Sequence, residues 1–248
     1  MKMKRTLKKL TAIIMVLAIL LGIQGNGTVI NTQASYNPVK LYSCDNVYSA
    51  RGAESSIIYI QIDASSAANK SALVHFSDDT GKWYDSEPAT FFTKLDDNTE
   101  IWKAGIGSSN GIDEFVIKYV GDGKTYWDNN NGNNYTKSNI LGEANVKSVR
   151  LRTHFSDYCE ILACVKNIAY NKVVRVRYTQ DNWATYKDVD LKYDSPSTTV
   201  DNLEWWTVTL DLDKDKMFEY CIYYQVNGQT YWDNNFGANY DRSFYRPL

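Results

Sequence analysis

Aromatic and carboxamide side chains are the residues of this sequence whose types and spacing could do chemistry. The chain of 248 residues contains 19 Tyr and seven Trp, and all of them lie after residue 35. A small core does not need this much aromatic surface. Flat rings and amides present apolar area and hydrogen-bonding groups to a ligand. We therefore expect a binding surface built from exposed rings.

The strongest local pattern is a ten-residue motif that occurs twice. Residues 126–135 read YWDNNNGNNY and residues 231–240 read YWDNNFGANY, so eight of ten positions agree at an offset of 105. Weaker matches continue upstream, such as Phe76 with Tyr178 and Trp102 with Trp206. A repeat of this length has the size of a whole domain rather than of a solenoid unit. Two copies of one domain are predicted, over residues 35–138 and 143–248.

Residue types that usually form metal or nucleophilic sites are sparse and irregular. The two histidines, His75 and His154, cannot supply a metal or Ser/His catalytic site that repeats in both copies. Asp128 and Asp233 fail the spacing of a calcium loop, because the twelfth position counted from Asp128 is Asn139 rather than Glu. A loop-shaping role is favoured for both aspartates. No metal and no cofactor are predicted.

The four cysteines also lack the spacing of metal ligands. We expect most of them to be small buried hydrophobic residues, although an exported chain would permit a disulfide between Cys164 and Cys221. The four are Cys44, Cys159, Cys164 and Cys221.

An export signal is predicted over residues 1–34. Five basic residues precede an apolar run from Thr11 to Ile23, and the small-residue sequence Thr32-Gln33-Ala34 follows. The apolar run is shorter than the roughly 20 residues that cross a bilayer, so a membrane anchor is the weaker alternative. The prediction is a secreted, extracellular or cell-surface protein with no membrane span in the mature chain.

The charge balance argues against nucleic acid as a partner. Residues 1–34 hold five of the 27 Lys and Arg residues and none of the 29 Asp and Glu residues. The remainder is therefore more acidic than the whole chain, whose formal net charge is −2. An acidic surface repels phosphate backbones.

Apolar and polar residues alternate with a period of two in both copies. Val174, Val176 and Tyr178 alternate with arginines, and apolar residues occupy every second position over 206–212. Such alternation is typical of strands with one buried side, and Asn227-Gly228 favours a hairpin turn. No amphipathic helical segment follows residue 35. The sequence predicts an all-β fold of two tandem immunoglobulin-like β-sandwich modules after the signal peptide.

Three separated motifs of the second copy resemble family 21 of the carbohydrate-binding modules. They are VKNIAYNK at 165–172, VRYTQDNW at 176–183 and YWDNN at 231–235, in the order that the family shows. The resemblance covers residues 146–241 and is weaker over 38–136. The family includes starch-binding domains of fungal glucoamylases and glycogen-targeting domains of phosphatase regulatory subunits. The resemblance implies a β-sandwich that binds α-1,4-glucan.

The resemblance also implies two binding sites in the second copy. The tryptophan site contains Trp183 and Trp232 with the neighbouring Asn234 and Asn239, while Cys221 replaces a third aromatic residue usual in the glucoamylase type. The lysine site takes its members from separate segments. They are Asn167, Tyr170, Lys172, Tyr193 and Glu204.

The first copy is expected to keep one of these sites better than the other. Its tryptophan site would contain Trp127 in place of Trp232, Trp83 as the stand-in for Trp183, and the two asparagines Asn129 and Asn134. In the lysine site, Lys70 aligns with Lys172 but Ala68 aligns with Tyr170. Much of the lysine site is therefore expected to be lost.

The hypothesis for function is a non-catalytic protein that anchors to starch, amylopectin or glycogen, with a place in a surface or extracellular amylolytic complex. Three alternatives stay open. A glycoside hydrolase would need two carboxylates at a fixed separation in a cleft, and the two modules are expected to fill the mature chain. A phosphatase-targeting subunit would need an intracellular location and a docking motif. A generic adhesin would not be retained by amylose or glycogen.

Overall fold

The computed structural model describes residues 36–48, 54–95, 98–153 and 158–242. Within these ranges the backbone forms β-strands and two short 3-10 turns, Asn130–Gly132 and Asn235–Gly237. The all-β class predicted from the sequence is confirmed. The predicted signal peptide lies outside the described residues and stays a prediction. No helix in the described part of the chain is long and apolar enough to cross a membrane.

The described residues of the N-terminal half form eight strands in two antiparallel sheets. The strands are β1 (Val39–Tyr48), β2 (Glu54–Asp63), β3 (Lys70–Ser77), β4 (Trp83–Asp85), β5 (Thr90–Lys94), β6 (Thr99–Ser108), β7 (Glu114–Gly121) and β8 (Lys124–Asp128). One sheet has the order β1-β2-β6-β5 and the other β4-β3-β7-β8. Alternate residues of both sheets, such as Ile58 and Ile60 of β2 and Val74 of β3, form one buried core.

The C-terminal half repeats this arrangement with one additional short strand. Its strands are β9 (Val146–Thr153), β10 (Tyr158–Lys166), β11 (Lys172–Thr179), β12 (Lys187–Asp190), β13 (Lys192–Pro196), β14 (Leu203–Asp211), β15 (Glu219–Val226), β16 (Gln229–Asp233) and β17 (Tyr240–Asp241). The sheet orders are β9-β10-β14-β13 and β12-β11-β15-β16, and β17 pairs with β15. Ile161, Val176 and Ile222 lie in a second, separate core.

The internal sequence repeat is therefore matched by a repeat of strand order. Residues 37–248 nevertheless form one compact unit, within which the halves contact each other. The predicted domain limits at residues 138 and 143 stay a prediction. Trp102 and Trp206, expected to be packing residues, are partly buried against the cores of their own halves.

All four cysteines are buried and none of them forms a disulfide, so the structure contains no Cys164–Cys221 bridge. Cys164 packs between the halves, whereas Cys221 lies on β15 opposite Arg177 of β11. Burial raises the pKa of the Cys164 thiol to about 12 and that of Cys221 to about 11. A thiol held neutral in this way is a poor nucleophile, and the residues act as the small hydrophobic side chains that the sequence predicted.

Candidate functional site

The repeated ten-residue motif folds into the same loop in both halves. Strand β16 ends at Asp233, whose carboxylate accepts hydrogen bonds from the Ser148 backbone N–H and from the Tyr240 hydroxyl. Asp128 makes the corresponding contacts with the Leu41 N–H and the Tyr135 hydroxyl. Both aspartates therefore tie the loop to the first strand of their half. These contacts are those of the loop-shaping role rather than of ligand binding.

The asparagines of the motif have divided roles. Asn234 Oδ1 accepts a hydrogen bond of 3.0 Å from the Gly237 N–H, and Asn129 Oδ1 accepts one of 3.1 Å from the Gly132 N–H. Asn134 and Asn239 have φ angles of 54° and 58°, a left-handed conformation that Asn adopts more readily than most residues. The loop geometry uses the side-chain oxygens of Asn129 and Asn234, and both side chains are exposed. Their amide nitrogens are the groups that could meet a ligand.

The tryptophan site of the C-terminal half is centred on an exposed indole ring. Trp232 is 46% exposed, and its ring packs on the cross-strand neighbour Tyr223 with the ring centroids 4.8 Å apart. The guanidinium of Arg177 lies 5.4 Å from the Trp232 ring centroid and 4.1 Å from that of Tyr186. Two hydrogen bonds of 2.7 Å to Asp188 hold this guanidinium in place. Arg177 therefore lies between Trp232 and the exposed Tyr186.

Trp183 lies at the other end of the same sheet face. Its ring is half-buried and its indole N–H donates a hydrogen bond to Glu219 of β15. Tyr223, the residue that packs on Trp232, lies four residues further along the same strand. In the described part of the chain, no ring contact joins Trp183 directly to Trp232. Cys221 faces the space between the two tryptophans, since residues two apart on a strand share a face. Arg177, the cross-strand partner of Cys221, covers this position.

The N-terminal half has a related site with a different central residue. The His75 ring stacks on Trp83 at 4.8 Å and 16° and meets the Trp127 ring edge-on at 6.3 Å. His75 Nδ1 lies 2.6 Å from Asp85 Oδ1. With Asn129, Asn134 and Val116 these rings line a shallow pocket of about 350 Å³.

The strand pairing corrects one expected correspondence. Phe76 pairs with Tyr84, and its counterpart Tyr178 pairs with Lys187, so Tyr84 corresponds to Lys187. The preceding residue, Trp83, therefore corresponds to Tyr186 rather than to Trp183. The β3–β4 loop is shorter than the β11–β12 loop, so the turn that carries Trp183 has no counterpart. By the same register His75 and Asp85 correspond to Arg177 and Asp188.

The lysine site brings together all five residues that the resemblance implied. Lys172 Nζ lies 2.8 Å and 2.9 Å from the two carboxylate oxygens of Glu204 and also donates to Asn167 Oδ1. Trp206 Nε1 donates to the same carboxylate at 3.2 Å. Lys172 and Glu204 are only 5% and 11% exposed. They therefore form a buried frame whose donors and acceptors are used within the protein.

The accessible part of the lysine site consists of Asn167 and two tyrosines. Tyr170 is 96% exposed, and Tyr193 is 52% exposed with its ring edge-on to Trp206 at 5.8 Å. Both rings border a groove together with Asn167, Lys172 and Glu204. Flat ring surface offered to solvent at the edge of a rigid sheet can stack against the apolar side of a ligand.

More of the lysine site survives in the N-terminal half than the sequence predicted. Lys70 Nζ contacts Glu100 Oε1 at 2.8 Å, and Trp102 Nε1 donates to Glu100 Oε2 at 2.8 Å. Phe91 pairs with Trp102 as Tyr193 pairs with Trp206, and Phe91 is 54% exposed. Ala68 leaves the position of Tyr170 without a ring. The frame and one of two exposed rings are present.

Sequence reasoning missed His75, Arg177, Tyr186 and Phe91. A signal was available for Arg177, because the alternation of β11 directs it away from the core. The other three became visible only through cross-strand pairing. In the described residues no group of three or more His, Cys, Asp or Glu side chains could hold a metal ion.

The chain combines an all-β fold with exposed aromatic rings on loop ends and strand edges. Residues 144–243 match the model of the carbohydrate/starch-binding module of family 21.

Two curated relatives illustrate the range of proteins that contain similar segments. Protein phosphatase 1 regulatory subunit 3C of Rattus norvegicus is 38% identical over 80 residues, which are 31% of this chain and 25% of that protein. Glucoamylase 1 of Rhizopus oryzae is 40% identical over 85 residues, which are 34% of this chain and 14% of that protein. This chain thus spans a quarter or less of either relative.

Two solved structures are also similar. One is the starch-binding domain of Rhizopus oryzae glucoamylase in complex with β-cyclodextrin and maltoheptaose, with 33% identity, 40% of this chain and 92% of that chain covered, and a TM-score of 0.35. The other is the carbohydrate-binding module of the muscle glycogen-targeting subunit of protein phosphatase 1, with 25% identity, 42% and 78% coverage, and a TM-score of 0.35.

Proposed function

We propose that the protein is a secreted, non-catalytic α-glucan-binding protein that attaches to starch or glycogen through aromatic sites in both halves. The observation that carries this proposal is the lysine site. Tyr170 and Tyr193 present bare rings to solvent above a buried frame of Lys172, Glu204 and Trp206. A ring that is 96% exposed contributes nothing to the core, and its place on one groove with the half-exposed Tyr193 favours ligand binding by the pair.

The chemistry suits an α-1,4-linked glucan. The C–H side of a glucose ring stacks on an aromatic ring, and Trp and Tyr have few torsions to immobilise on binding. Rings set at an angle follow a curved glucan helix better than a straight ribbon. One shallow site of this kind would bind with a dissociation constant of about 10 μM to 1 mM, a range worth roughly 4 to 7 kcal/mol.

The N-terminal half supports the two-site part of the proposal. Its tryptophan surface of Trp83, His75 and Trp127 and its lysine frame with Phe91 repeat the architecture of the C-terminal half. Several weak sites on one chain raise the effective concentration of the next binding event on a polymer, which can strengthen retention by about 10² or more.

Export and lack of catalysis complete the proposal. The basic and apolar segment at residues 1–34 favours an extracellular or cell-surface location, where a surface amylolytic complex is a fitting partner. The ionised residues of the two lysine sites are committed to internal ion pairs rather than arranged as an acid and a base around a cleft.

Affinity electrophoresis in amylopectin tests the proposal. The wild-type protein is expected to be retarded, and the combined variant Y170A/Y193A/W127A/W232A is expected to migrate as in a gel without polysaccharide. Far-UV and near-UV circular dichroism check that the variant is folded. Met217→Ala, an exposed apolar residue outside both sites, is the matched control. Unretarded wild-type protein would rule out glucan binding, and release of reducing sugar from soluble starch would rule out the non-catalytic assignment.

A further inference from the structure

The segment that connects the two halves is part of the fold rather than a free tether. Its backbone pairs with strand β1: the Cys44 N–H donates to Ile140 O at 2.9 Å, and the Gly142 N–H donates to Tyr42 O at 3.0 Å. A Cβ atom at Gly142 would lie 1.9 Å from the Leu41 carbonyl oxygen, so only glycine fits there. The path of the chain between the halves is therefore defined at each step.

A third hydrophobic cluster fills the junction of the halves. Ile140, Leu141 and Ala144 of the connecting segment pack with Cys164 and Leu203 of the C-terminal half. These five residues are all buried. The outer side of the β9-β10-β14-β13 sheet is therefore covered at this point rather than open to water.

A buried ion pair also crosses the junction. Lys147 Nζ of β9 lies 2.9 Å from Asp45 Oδ1 of β1, and the two side chains are 6% and 8% exposed. The Lys147 ammonium lies 5.4 Å from the ring centroid of Tyr59. A buried pair tolerates little relative movement, because separating the charges would leave each one desolvated without a partner.

A further feature of the junction between the halves is the backbone conformation of Phe236. Its backbone has φ 56° and ψ 35°, a left-handed conformation that is unfavourable for a bulky residue. The equivalent residue of the N-terminal half is Asn131, with φ 55° and ψ 36°, a residue type that tolerates this region. The same loop therefore forms with a better-suited residue when no docking is required.

The Phe236 ring explains the exception. It contacts three rings of the N-terminal half, with centroid distances of 4.9 Å to Tyr59, 5.2 Å to Phe92 and 5.6 Å to Tyr42. Asn131 has no such surroundings and is exposed. The aromatic contact offsets the unfavourable backbone conformation.

We infer that the two halves act as one rigid, multivalent binding unit, and that Phe236 is the positioning residue that docks the C-terminal tryptophan-site loop on the N-terminal half. Phe236 lies between Trp232 and Asn239, so its docking fixes where this loop sits on the N-terminal half. The internal shape of the loop is held by its own hydrogen bonds, such as those from Asn235 to Asn239 O and from Gly237 to Asn234, and does not depend on the Phe236 ring. This inference rests on the proposed glucan-binding function. It specifies the ligand class as long or clustered α-glucan chains that can reach sites on both halves at a fixed separation.

The physical reason lies in the effective concentration at the second site. When two sites are held at one separation, a long chain that spans them meets the second site without a search, whereas a short oligosaccharide occupies one site at a time. Loosening the junction should weaken binding of polymer while leaving binding of short oligosaccharides unchanged.

The test compares F236N with wild-type protein, since Asn131 shows that Asn fits this loop. Isothermal titration with β-cyclodextrin is expected to give dissociation constants within about twofold for the two proteins. Retardation by amylopectin is expected to weaken by about tenfold or more in F236N. The wild-type protein should unfold in one thermal transition and F236N in two, one for each half. Phe92→Ala removes a partner ring of Phe236 from the opposite half and should have the same effects as F236N on amylopectin retardation and thermal unfolding. Met217→Asn is the control for changing an exposed apolar residue to Asn.

The possible outcomes separate the two proposals. If wild-type protein does not bind β-cyclodextrin, the proposed function fails. If wild type binds it, but F236N and F92A keep wild-type retardation by amylopectin and one thermal transition, the rigid-unit inference is overturned. Equal loss of β-cyclodextrin and amylopectin binding in F236N would also overturn it, because Phe236 would then act only within its own loop.

Discussion

Arg177 lies directly across from Cys221 in the β11–β15 pairing, and its guanidinium covers the position where the family resemblance implies an aromatic ring. The guanidinium is planar, spans from the Tyr186 ring to the Trp232 ring and is fixed by two hydrogen bonds to Asp188. Under the proposed function, this planar group would take the place of the ring missing at Cys221. Arginine stacks on aromatic rings and can also donate hydrogen bonds to hydroxyl groups.

Arg177→Ala is expected to weaken the C-terminal tryptophan site. One hydrogen bond or stacking contact from the guanidinium to the glucan is worth about 0.5–1 kcal/mol, so removing it should lower the affinity for β-cyclodextrin about two- to fivefold. The measurement is isothermal titration in a background with Trp127→Ala and Tyr170→Ala, which isolates this site. Arg177→Lys serves as the control that keeps the charge, and full rescue by lysine would contradict a role for the planar group.

Tyr170→Ala is expected to reduce binding without changing stability. The ring is almost fully exposed, so its removal leaves no cavity and no unpaired polar group. Loss of one stacking contact, about 1 kcal/mol, corresponds to roughly a fivefold weaker lysine site. Titration with maltoheptaose and thermal unfolding measure the two effects. A large drop in the unfolding temperature would show that Tyr170 is structural.

Lys172→Met, in contrast to Tyr170→Ala, is expected to lower the stability of the fold. The Glu204 carboxylate accepts hydrogen bonds from Lys172 and from the Trp206 N–H. Removing the lysine leaves this buried carboxylate without its ion-pair partner and with the Trp206 N–H alone of these two donors. Removing one partner of a buried pair costs about 3–5 kcal/mol of unfolding free energy. Urea unfolding followed by tryptophan fluorescence measures it. The double variant K172M/E204L should recover most of the loss, and a stable single variant would show that the pair does not frame the site.

Acid is expected to destabilise the N-terminal half through Glu100. Burial raises the pKa of this carboxyl, but hydrogen bonds from Lys70 and Trp102 outweigh burial and hold its pKa below the ordinary value of 4.5. The unfolded chain therefore takes up the proton first as the pH falls. The stabilisation is fully present above pH 4.5 and is lost as the pH decreases through the lower pKa of the folded state.

Thermal unfolding between pH 5 and pH 3 checks this prediction. Glu100→Gln should start from a lower unfolding temperature, because Lys70 loses its charged partner and keeps the neutral Ala64 carbonyl, and should then show a shallower decline with acid than wild type. Parallel curves for the two proteins would show that Glu100 does not contribute to the acid limb.

Several features of this protein could be read from sequence because they depend on neighbours along the chain. The period-two alternation of Val174, Val176 and Tyr178 defines a strand with one buried side, whatever it packs against. The aspartate and asparagine pattern of the ten-residue motif builds a loop through contacts mostly within a few residues. The motif order also sufficed to indicate the family and the five members of the lysine site.

Other features were decided only by the tertiary structure, because they depend on which strands pair and how the halves meet. The placement of Arg177 over Trp232 follows from pairing with residues more than 40 positions away, and the register of Trp83 follows from loop length. Only the degree of burial distinguishes Lys172, which belongs to the buried frame, from Tyr170, which presents an exposed ring. Phe236 and Asn131 occupy the same position of the motif, and only the packing of the halves places three rings around Phe236. Local physics determines the strands and the loops, and long-range packing determines which of their side chains meet.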